Sequence, residues 1–168
     1  MTVTLVLGGA RSGKSRHAEA LIARLPGPYV YVATGEARDT EMVDRIALHR
    51  SRRGMDWSTI EEPLELSDVV QRPEHAAQPM LIDCLTLWTS NLMFAERDIA
   101  AACATLEAAL TRRQGDTVLV SNEVGLGIVP DNALTRRFRD EAGTVNQRIA
   151  AVADRVLFVV AGLPMTVK

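Results

Sequence analysis

The sequence predicts an α/β fold in which a doubly wound, mainly parallel sheet carries helices on both faces. Short apolar segments with strand character alternate along the chain with longer helical segments, which is typical of β-α-β units. Several of these strand segments are continuously apolar rather than alternating, as expected for strands that are covered on both faces. The chain has 168 residues with no internal repeat or linker, so we expect a single domain over residues 1–168.

In chain order, the predicted strands are 2–7, 29–33, 57–61, 79–84, 117–121 and 155–161, of which 57–61 is the weakest. The predicted helices are 14–24, 40–53, 64–71, 85–94, 99–113 and 133–153. Gly143 suggests an interruption in the last helix, because glycine has a low helix propensity. Ligands of doubly wound sheets bind beyond the carboxyl ends of the strands, so the residues that follow each strand are the candidate site residues.

Composition excludes several classes of protein. A 47% hydrophobic and 24% charged chain is close to the average for soluble domains, and a net charge of −2 argues against a general nucleic-acid binder. No apolar stretch reaches the roughly 18 residues of a membrane helix, and the apolar run 3–7 lacks the features of a signal peptide. Cys84 and Cys103 have no partner at metal-ligand spacing, so we interpret both as buried thiols of a cytoplasmic protein.

A glycine-rich motif joins the first strand to the first helix. It fits the pattern G-x-x-x-x-G-K-[ST], whose backbone N–H groups surround the phosphates of a nucleotide. Lys14 would reach the β and γ phosphates, and the Ser15 hydroxyl would ligate Mg²⁺. An incidental glycine turn is the alternative, but the flanking strand and helix favour the phosphate loop. The nucleotide-binding residues predicted here are Gly8, Gly9, Ala10, Arg11, Ser12, Gly13, Lys14 and Ser15.

Asp83 closes the apolar run of the fourth strand in chain order. A carboxylate at this position can hold Mg²⁺ or its water shell. It can also act as the N-cap of the following helix, and the two roles are compatible.

The predicted helix 40–53 carries a histidine among arginines. Arg45, His49, Arg52 and Arg53 share one helix face by their spacing. Arginines can neutralise phosphate oxygens while an imidazole acts as base or nucleophile. Spacing alone favours the simpler interpretation, a solvated basic face.

Polar residues follow the fifth strand in chain order at Asn122 and Glu123, ahead of a glycine-containing loop. The pair fits a substrate or metal site, and it fits equally a turn with capping side chains. Arg136, Arg137 and Arg139 form either a solvated helix face or a clamp for an anionic substrate.

Several longer motifs carry a family resemblance. They are GGARSGKSRHAE (8–19), YVAT (31–34), RIALHRSRRG (45–54), LIDCLT (81–86), SNEVGLGIVPDN (121–132) and FRDEAGTVNQRIAAVAD (138–154). Over essentially its whole length, the chain resembles the bifunctional adenosylcobinamide kinase / adenosylcobinamide-phosphate guanylyltransferase family of cobalamin biosynthesis. The last two motifs are far more specific than a phosphate loop.

The resemblance implies a RecA-like P-loop fold, a homotrimer and two reactions. ATP or GTP phosphorylates adenosylcobinamide, and GMP from GTP is then transferred to adenosylcobinamide phosphate, giving adenosylcobinamide-GDP and pyrophosphate. Mg²⁺ is the implied cofactor.

The resemblance also implies roles for individual residues. It makes His49 the residue that carries GMP covalently, with Lys14 as the second catalytic residue. Ser15 and Asp83 would hold the metal. Besides the phosphate loop, the implied nucleotide contacts are Ala33, Thr34, Gly35, Arg50, Ser51, Arg52, Arg53, Glu61 and Asp83.

Three other functions remain to be separated from this one. The alternatives are a small-molecule P-loop kinase without nucleotidyl transfer, a monofunctional guanylyltransferase, and a nucleotide switch or assembly ATPase. The absence of an N-K-x-D guanine signature weakens the switch interpretation, and the retained phosphate loop weakens the monofunctional one.

Overall fold

A computed structural model describes residues 1–35 and 54–168 of the chain. Within these residues the strands are Val3–Gly8 (β1), Tyr29–Ala33 (β2), Trp57–Glu61 (β3), Met80–Asp83 (β4), Thr117–Asn122 (β5), Arg155–Val160 (β6) and Leu163–Thr166 (β7). The α-helices are Lys14–Ile22 (α1), Leu66–Val70 (α2), Leu85–Phe94 (α3), Ile99–Arg112 (α4) and Ala133–Val152 (α5), with a 3₁₀ turn at Pro73–His75. The predicted helix 40–53 lies outside the described residues.

The described strands form one sheet in the order β3-β2-β4-β5-β1-β6-β7. All neighbouring pairs are parallel except β6 and β7, which are antiparallel. β5 lies between β1 and β4, so the strand that leads into the glycine motif and the strand that ends at Asp83 are not adjacent. The predicted fold class, a doubly wound and mainly parallel sheet, is confirmed.

Two apolar clusters cover the sheet, one on each side. On the first side, which we call the α1 face, Ala18 and Ile22 of α1 pack against Val6, Val120 and other inward residues. On the second side, which we call the α5 face, helices α2 to α5 pack against alternate residues of the same strands. Leu85, Trp88, Leu106, Val145 and Ile149 are members of this larger cluster. Alternation along a strand therefore decides which face each side chain reaches.

Helices α4 and α5 begin at the predicted residues, 99 and 133, and a capping side chain precedes each of them. Asp98 accepts a hydrogen bond from the Ala101 N–H at 2.9 Å ahead of α4, and Asn132 accepts one from the Thr135 N–H at 2.8 Å ahead of α5. No helix among the described residues is long and apolar enough to span a bilayer.

The prediction of an interruption at Gly143 was wrong. Helix α5 runs from Ala133 to Val152 without a break, because Ala142, Val145 and Ile149 bury one face of it in the core. Tertiary packing of that face outweighs the local cost of one glycine.

Strand β7 was not predicted from the sequence. It is reached through a two-residue turn in which Ala161 and Gly162 both have positive φ, 52° and 80°. Such turns normally carry asparagine, aspartate or glycine at the first position, so an alanine there hides the signal. Pro164 further disguises the strand, since proline is tolerated only at the edges of sheets.

Candidate active site

The glycine motif forms a compact loop between β1 and α1. Gly13 has a φ of 93°, a conformation that favours glycine, and it precedes the first residue of α1. A Cβ on Gly8 would lie 2.5 Å from the Ser12 Oγ and 2.6 Å from the Val159 carbonyl oxygen, so no larger residue fits there. The Lys14 Nζ donates a hydrogen bond to the Gly9 carbonyl at 3.0 Å, which folds the side chain back over the loop.

A contact from the far end of the chain supports this loop. The Gly162 N–H donates to the Ser12 carbonyl at 2.8 Å, and a Cβ on Gly13 would lie 3.2 Å from the Gly162 Cα. Sequence reasoning missed Gly162, because the turn that contains it belongs to the unpredicted hairpin. The pattern of a glycine two residues before a proline was the only available signal.

Strand alternation brings several candidate residues to the α1 face at the carboxyl edge of the sheet. Leu81 and Val120 belong to the α1-face cluster, so Asp83 and Asn122, each two residues further along, reach the same face. Ala33 pairs with both Glu61 and Asp83, and Gly8 pairs with Asn122. The strand ends therefore follow one another across this face in the order Glu61, Ala33, Asp83, Asn122 and Gly8.

Asp83 is oriented by the neighbouring strand. The Tyr31 hydroxyl donates to the Asp83 Oδ2 at 3.1 Å. The N-cap residue of α3 is Cys84, one residue beyond Asp83.

Thr34 joins the ends of β2 and β4. Its side chain is fully buried, its Oγ1 accepts a hydrogen bond from the Cys84 N–H at 2.7 Å, and its own N–H donates to the Asp83 carbonyl at 3.1 Å. Its carbonyl accepts a hydrogen bond from the buried amide of Asn91 at 2.8 Å. Thr34 thereby fixes the position of Asp83 relative to the end of β2, where Ala33 and Gly35 lie.

Glu61 and Glu62 have different surroundings. The Glu62 Oε1 accepts hydrogen bonds from the N–H groups of Leu64 and Glu65, at 3.0 and 2.9 Å, and so shapes the turn before α2. Glu61 ends β3 on the same face as Trp57, which packs in the α1-face cluster. Of the two carboxylates, Glu61 is the one that strand alternation directs to the candidate site.

Asn122 and Glu123 also differ, although they are adjacent. The Glu123 Oε1 accepts hydrogen bonds from the N–H groups of Gly125 and Leu126, so this carboxylate caps the turn that follows β5. For Glu123 the interpretation as a capping side chain is therefore confirmed. The backbone of Asn122 is held by α3 and α5, through Thr86 and Asn146.

The arginines of α5 make contacts within the fold. Arg136 donates to the carbonyls of Pro130 and Asp131, at 3.0 and 2.7 Å, and so closes the loop after β5. Arg139 pairs with Asp140 at 2.9 Å. Arg137 is exposed and lies 4.0 Å from Glu141. These contacts hold local structure, and the roles of the three arginines toward a substrate stay predictions.

The remaining predicted site residues are His49, Arg50, Ser51, Arg52 and Arg53, together with Arg45 on the same predicted helix. All of them lie outside the described residues. Their roles stay predictions.

The thiol nearest the site is not a nucleophile at neutral pH. Burial, and next the charge of Asp83, raise the pKa of Cys84 to about 11. Both cysteines are free and buried, as the sequence predicted. Further along α1, burial and the charges of Arg24 and Arg155 lower the pKa of His17, which favours the neutral imidazole.

The chemistry of the donors fits Mg²⁺ shared with a nucleotide. Mg²⁺ prefers oxygen ligands and usually binds one or two protein groups together with phosphates and water. Asp83 offers a carboxylate at the strand end, and Ser15 offers a hydroxyl in the first turn of α1. Within the described part of the chain, no three His, Cys, Asp or Glu residues cluster to form a metal site. A metal bound by Asp83 and Ser15 would therefore take its other ligands from phosphates and water.

A phosphate loop at the carboxyl edge of a mainly parallel sheet, with an acidic residue two strands away, defines a P-loop nucleotide-binding protein. Solved structures agree on the fold. The flagellar accessory protein FlaH from Methanocaldococcus jannaschii has a TM-score of 0.57 at 12% identity, over 99% of this chain and 78% of that one. An ATPase of a bacterial type III secretion system has a TM-score of 0.56 at 11% identity, over 98% of this chain and 56% of that one. The fold is thus the RecA-like P-loop fold.

Sequence comparisons identify the family. The model of the family described as cobinamide kinase / cobinamide phosphate guanyltransferase matches residues 4–167. A bifunctional adenosylcobalamin biosynthesis protein, CobP, from Pseudomonas aeruginosa is 48% identical over 98% of this chain and 96% of its own length. The corresponding CobU protein of Salmonella typhimurium is 44% identical over 98% of both chains. The chain belongs to this family of enzymes, as the sequence motifs indicated.

Proposed function

We propose that this chain phosphorylates adenosylcobinamide with ATP or GTP and then transfers GMP from GTP to the adenosylcobinamide phosphate. The observation that carries the proposal is the shared edge at which the phosphate loop, Asp83 and Glu61 lie on the α1 face, in a member of the cobinamide kinase family. Residues 1–168 would act as one catalytic domain for both steps.

The first step is a phosphoryl transfer. The aminopropanol hydroxyl oxygen attacks the γ-phosphorus and loses its proton to solvent, the bond between that phosphorus and the β–γ bridging oxygen breaks, and the nucleoside diphosphate leaves. The loop N–H groups and Lys14 bind the phosphate oxygens, where charge is redistributed in the transition state. Mg²⁺, held by Ser15 and Asp83, would supply further charge stabilisation at the phosphates.

The second step is a nucleotidyl transfer through His49. An imidazole nitrogen attacks the α-phosphorus of GTP, the bond to the β-phosphate oxygen breaks, and pyrophosphate leaves. A phosphate oxygen of adenosylcobinamide phosphate then displaces the imidazole and takes the GMP group. Dividing the transfer in this way is ordinary nucleophilic catalysis. Only the neutral imidazole has the lone pair that attacks, so the transfer should fail at low pH.

The other nucleotide contacts that we propose come from the family resemblance. Glu61 has support from its place on the α1 face, and Ala33 and Gly35 from theirs at the end of β2. Thr34 is fully buried and both of its backbone polar groups bond within the fold, so it would support the site by positioning Ala33, Gly35 and Asp83. Arg50, Ser51, Arg52 and Arg53 follow His49 in the sequence. The three arginines would neutralise phosphate charge, and the Ser51 hydroxyl would add a neutral hydrogen-bond donor.

We also propose a cytoplasmic homotrimer that binds no nucleic acid and does not insert into membranes. Support for assembly comes from an apolar patch on β6 and β7, defined as Val160, Leu163 and Met165. These side chains are 48%, 70% and 58% exposed. Val160 lies opposite Leu163, and Met165 lies opposite Phe158, so all three reach the α5 face beyond the cover of α5. A symmetric oligomer is a common way to bury such a patch.

The transfer step is tested with GTP labelled at the α-phosphate. After incubation with Mg²⁺ and denaturation, the wild-type chain should retain a label that is acid-labile and base-stable. His49→Ala should lose the label and the transferase activity and keep the kinase activity. His75→Ala is the matched control, because His75 lies on the 3₁₀ turn before the amino end of β4, away from the carboxyl ends of the strands, and bonds to Gln78. An undiminished label in His49→Ala would exclude the histidine mechanism.

A retained kinase activity without any label, in the wild-type chain, would favour a small-molecule P-loop kinase without nucleotidyl transfer. Loss of both activities in His49→Ala would indicate that His49 also contributes to binding or structure.

A further inference from the structure

We propose that the side-chain amide of Asn122 donates a hydrogen bond to the terminal phosphate of the nucleoside triphosphate. The proposal rests on the proposed function and adds a substrate-binding residue to it. It depends on three observations: the position of Asn122 at the strand end, the hydrogen bonds that hold its backbone, and the unused hydrogen-bonding capacity of its side-chain amide.

Asn122 lies between the two parts of the phosphate site. It ends β5, the strand between the phosphate-loop strand and the Asp83 strand. Gly8 is its partner on β1, whereas Asp83 is paired with Val120 on β4. Asn122 therefore extends two residues beyond the level of Asp83, and neighbouring strands are about 4.8 Å apart. A phosphate bound between the loop and Asp83 would lie over this strand end.

The side chain of Asn122 reaches the α1 face. Val118 and Val120 both belong to the cluster under α1, and Asn122 continues their alternation. Ser121, with the opposite parity, bonds instead to Thr86 of α3 across 3.0 Å on the α5 face. The amide of Asn122 is thus directed to the side of the sheet on which α1 begins with the phosphate loop.

Three hydrogen bonds to three different elements hold the backbone around Asn122. Its N–H donates to the Thr86 Oγ1 of α3 at 2.7 Å, and its carbonyl accepts from the Asn146 Nδ2 of α5 at 3.2 Å. The N–H of the next residue, Glu123, donates to the Gly8 carbonyl of β1 at 3.1 Å. Thr86 and Asn146 are only 6% and 7% exposed, so these polar groups are removed from water to make the bonds.

Asn146 makes this arrangement costly. Its Oδ1 is buried and has no hydrogen-bond partner within the described part of the chain. A buried polar atom without a partner destabilises the fold and is uncommon. An apolar residue at this position would avoid that cost and lose only the bond to the Asn122 carbonyl. We take the cost as support for a need to hold Asn122 in place.

The amide of Asn122 is itself unused. Within residues 1–35 and 54–168 it makes no hydrogen bond, although it is partly exposed at the site edge. A fixed backbone with an unused donor is the arrangement that stabilises developing charge without reorganisation. A neutral donor also suits this position. A cation would form an ion pair with Asp83, and a carboxylate would repel the phosphate.

The test compares the affinities of fluorescent mant-GTP and mant-GDP, because only the triphosphate has the terminal phosphate. Asn122→Ala should weaken the affinity for mant-GTP by about 10-fold, since a hydrogen bond to a charged group is lost. It should change the affinity for mant-GDP by less than about 2-fold. Asn122→Asp has nearly the same volume and places a negative charge beside the phosphate, so it should weaken mant-GTP further. In the same variants the phosphoryl-transfer rate should fall by about 100-fold, as on removal of one transition-state donor.

Asn132→Asp is the matched control. It makes the same chemical change at the N-cap of α5, where the side-chain oxygen does the capping, so both affinities should remain as in the wild type.

An equal loss of affinity for mant-GTP and mant-GDP, or no loss of affinity for either, would overturn the assignment. A variant that fails to fold is recognised by its thermal melting, and Asn122→Asp, which keeps the shape of the side chain, then decides. The nucleotide comparison needs no cobinamide. A wild-type chain that selects mant-GTP through Asn122 and does not phosphorylate adenosylcobinamide would therefore refute the proposed function alone.

Discussion

The hydroxyl of Tyr31 donates a hydrogen bond to the Asp83 Oδ2 at 3.1 Å, between neighbouring strands and on the α1 face. Groups that hydrogen-bond to a metal-binding carboxylate orient it, and their loss typically weakens metal binding 10- to 100-fold.

Tyr31→Phe should therefore raise the Mg²⁺ concentration needed for half-maximal phosphoryl transfer by about 10-fold. Tyr29→Phe is the control, because Tyr29 lies on the same strand and donates instead to the Leu25 carbonyl at 2.8 Å. A Mg²⁺ titration of both variants measures the effect. The same Mg²⁺ requirement in the two variants would argue against Asp83 as the metal-binding carboxylate.

Gly8→Ala should disrupt the phosphate loop. The new methyl group would meet the Ser12 side chain and the Val159 carbonyl, and overpacking of this kind costs about 1 to 3 kcal/mol. We expect a lower melting temperature and a weaker affinity for mant-GTP. Gly9→Ala should leave the melting temperature unchanged, because no atom lies within 4 Å of its added Cβ. Equal melting temperatures for the two variants would contradict the close approach at Gly8.

Gly143→Ala should stabilise the protein. The residue lies inside the continuous helix α5, and no atom lies within 4 Å of an added Cβ. Alanine is favoured over glycine within a helix by about 1 kcal/mol. Urea denaturation of the wild type and the variant measures the free energy of unfolding. A decrease would mean that the helix is not regular at this position.

The ion pair between Glu107 and Arg148 should contribute stability that depends on pH. The Arg148 Nε and Nη2 donate to the two carboxylate oxygens at 2.6 and 2.8 Å. These hydrogen bonds hold the pKa of Glu107 below its ordinary value. Because the pKa is lower in the folded chain, the stabilisation is present above the pKa of the unfolded chain. It is lost as the pH falls through the folded value.

Glu107→Gln should accordingly lower the free energy of unfolding by about 1 kcal/mol at pH 7. The difference in this free energy between the variant and the wild type should shrink as the pH falls below about 4. Urea denaturation across this range measures it. Glu65→Gln is the comparison, because the Glu65–Arg97 pair is about half exposed and should contribute less. A cost in Glu107→Gln that does not change with pH would attribute the effect to packing rather than charge.

Substitution in the apolar patch should dissociate the proposed trimer. Met165→Glu places a charge in the apolar patch on the edge strand β7, where burial of an unpaired charge in an interface is costly. Light scattering after size exclusion should give the mass of a monomer for this variant. Thr105→Glu, on the exposed side of α4, should keep the mass of the wild type. A monomeric wild type, or a trimeric Met165→Glu, would exclude this patch as the interface.

The sequence alone determined the fold class, most of the sheet and the phosphate loop. These features have local signatures. A buried parallel strand is a short apolar run, and a phosphate loop needs glycines and a lysine at set spacings. Family motifs added the predictions that His49 carries GMP and that the chain performs two reactions, which no local pattern specifies.

Tertiary structure decided which side chains serve the site and which serve the fold. Glu61 and Glu62 are chemically identical, and Asn122 and Glu123 are neighbouring polar residues. Glu62 and Glu123 cap turns, whereas strand alternation directs Glu61 and Asn122 to the α1 face. That choice depends on strand register, since a shift of one residue moves every side chain to the opposite face. Strand β7 and the support of the phosphate loop by Gly162 likewise join residues that are far apart in the chain. Contacts of this kind leave no pattern in either segment alone, so only the folded chain specifies them.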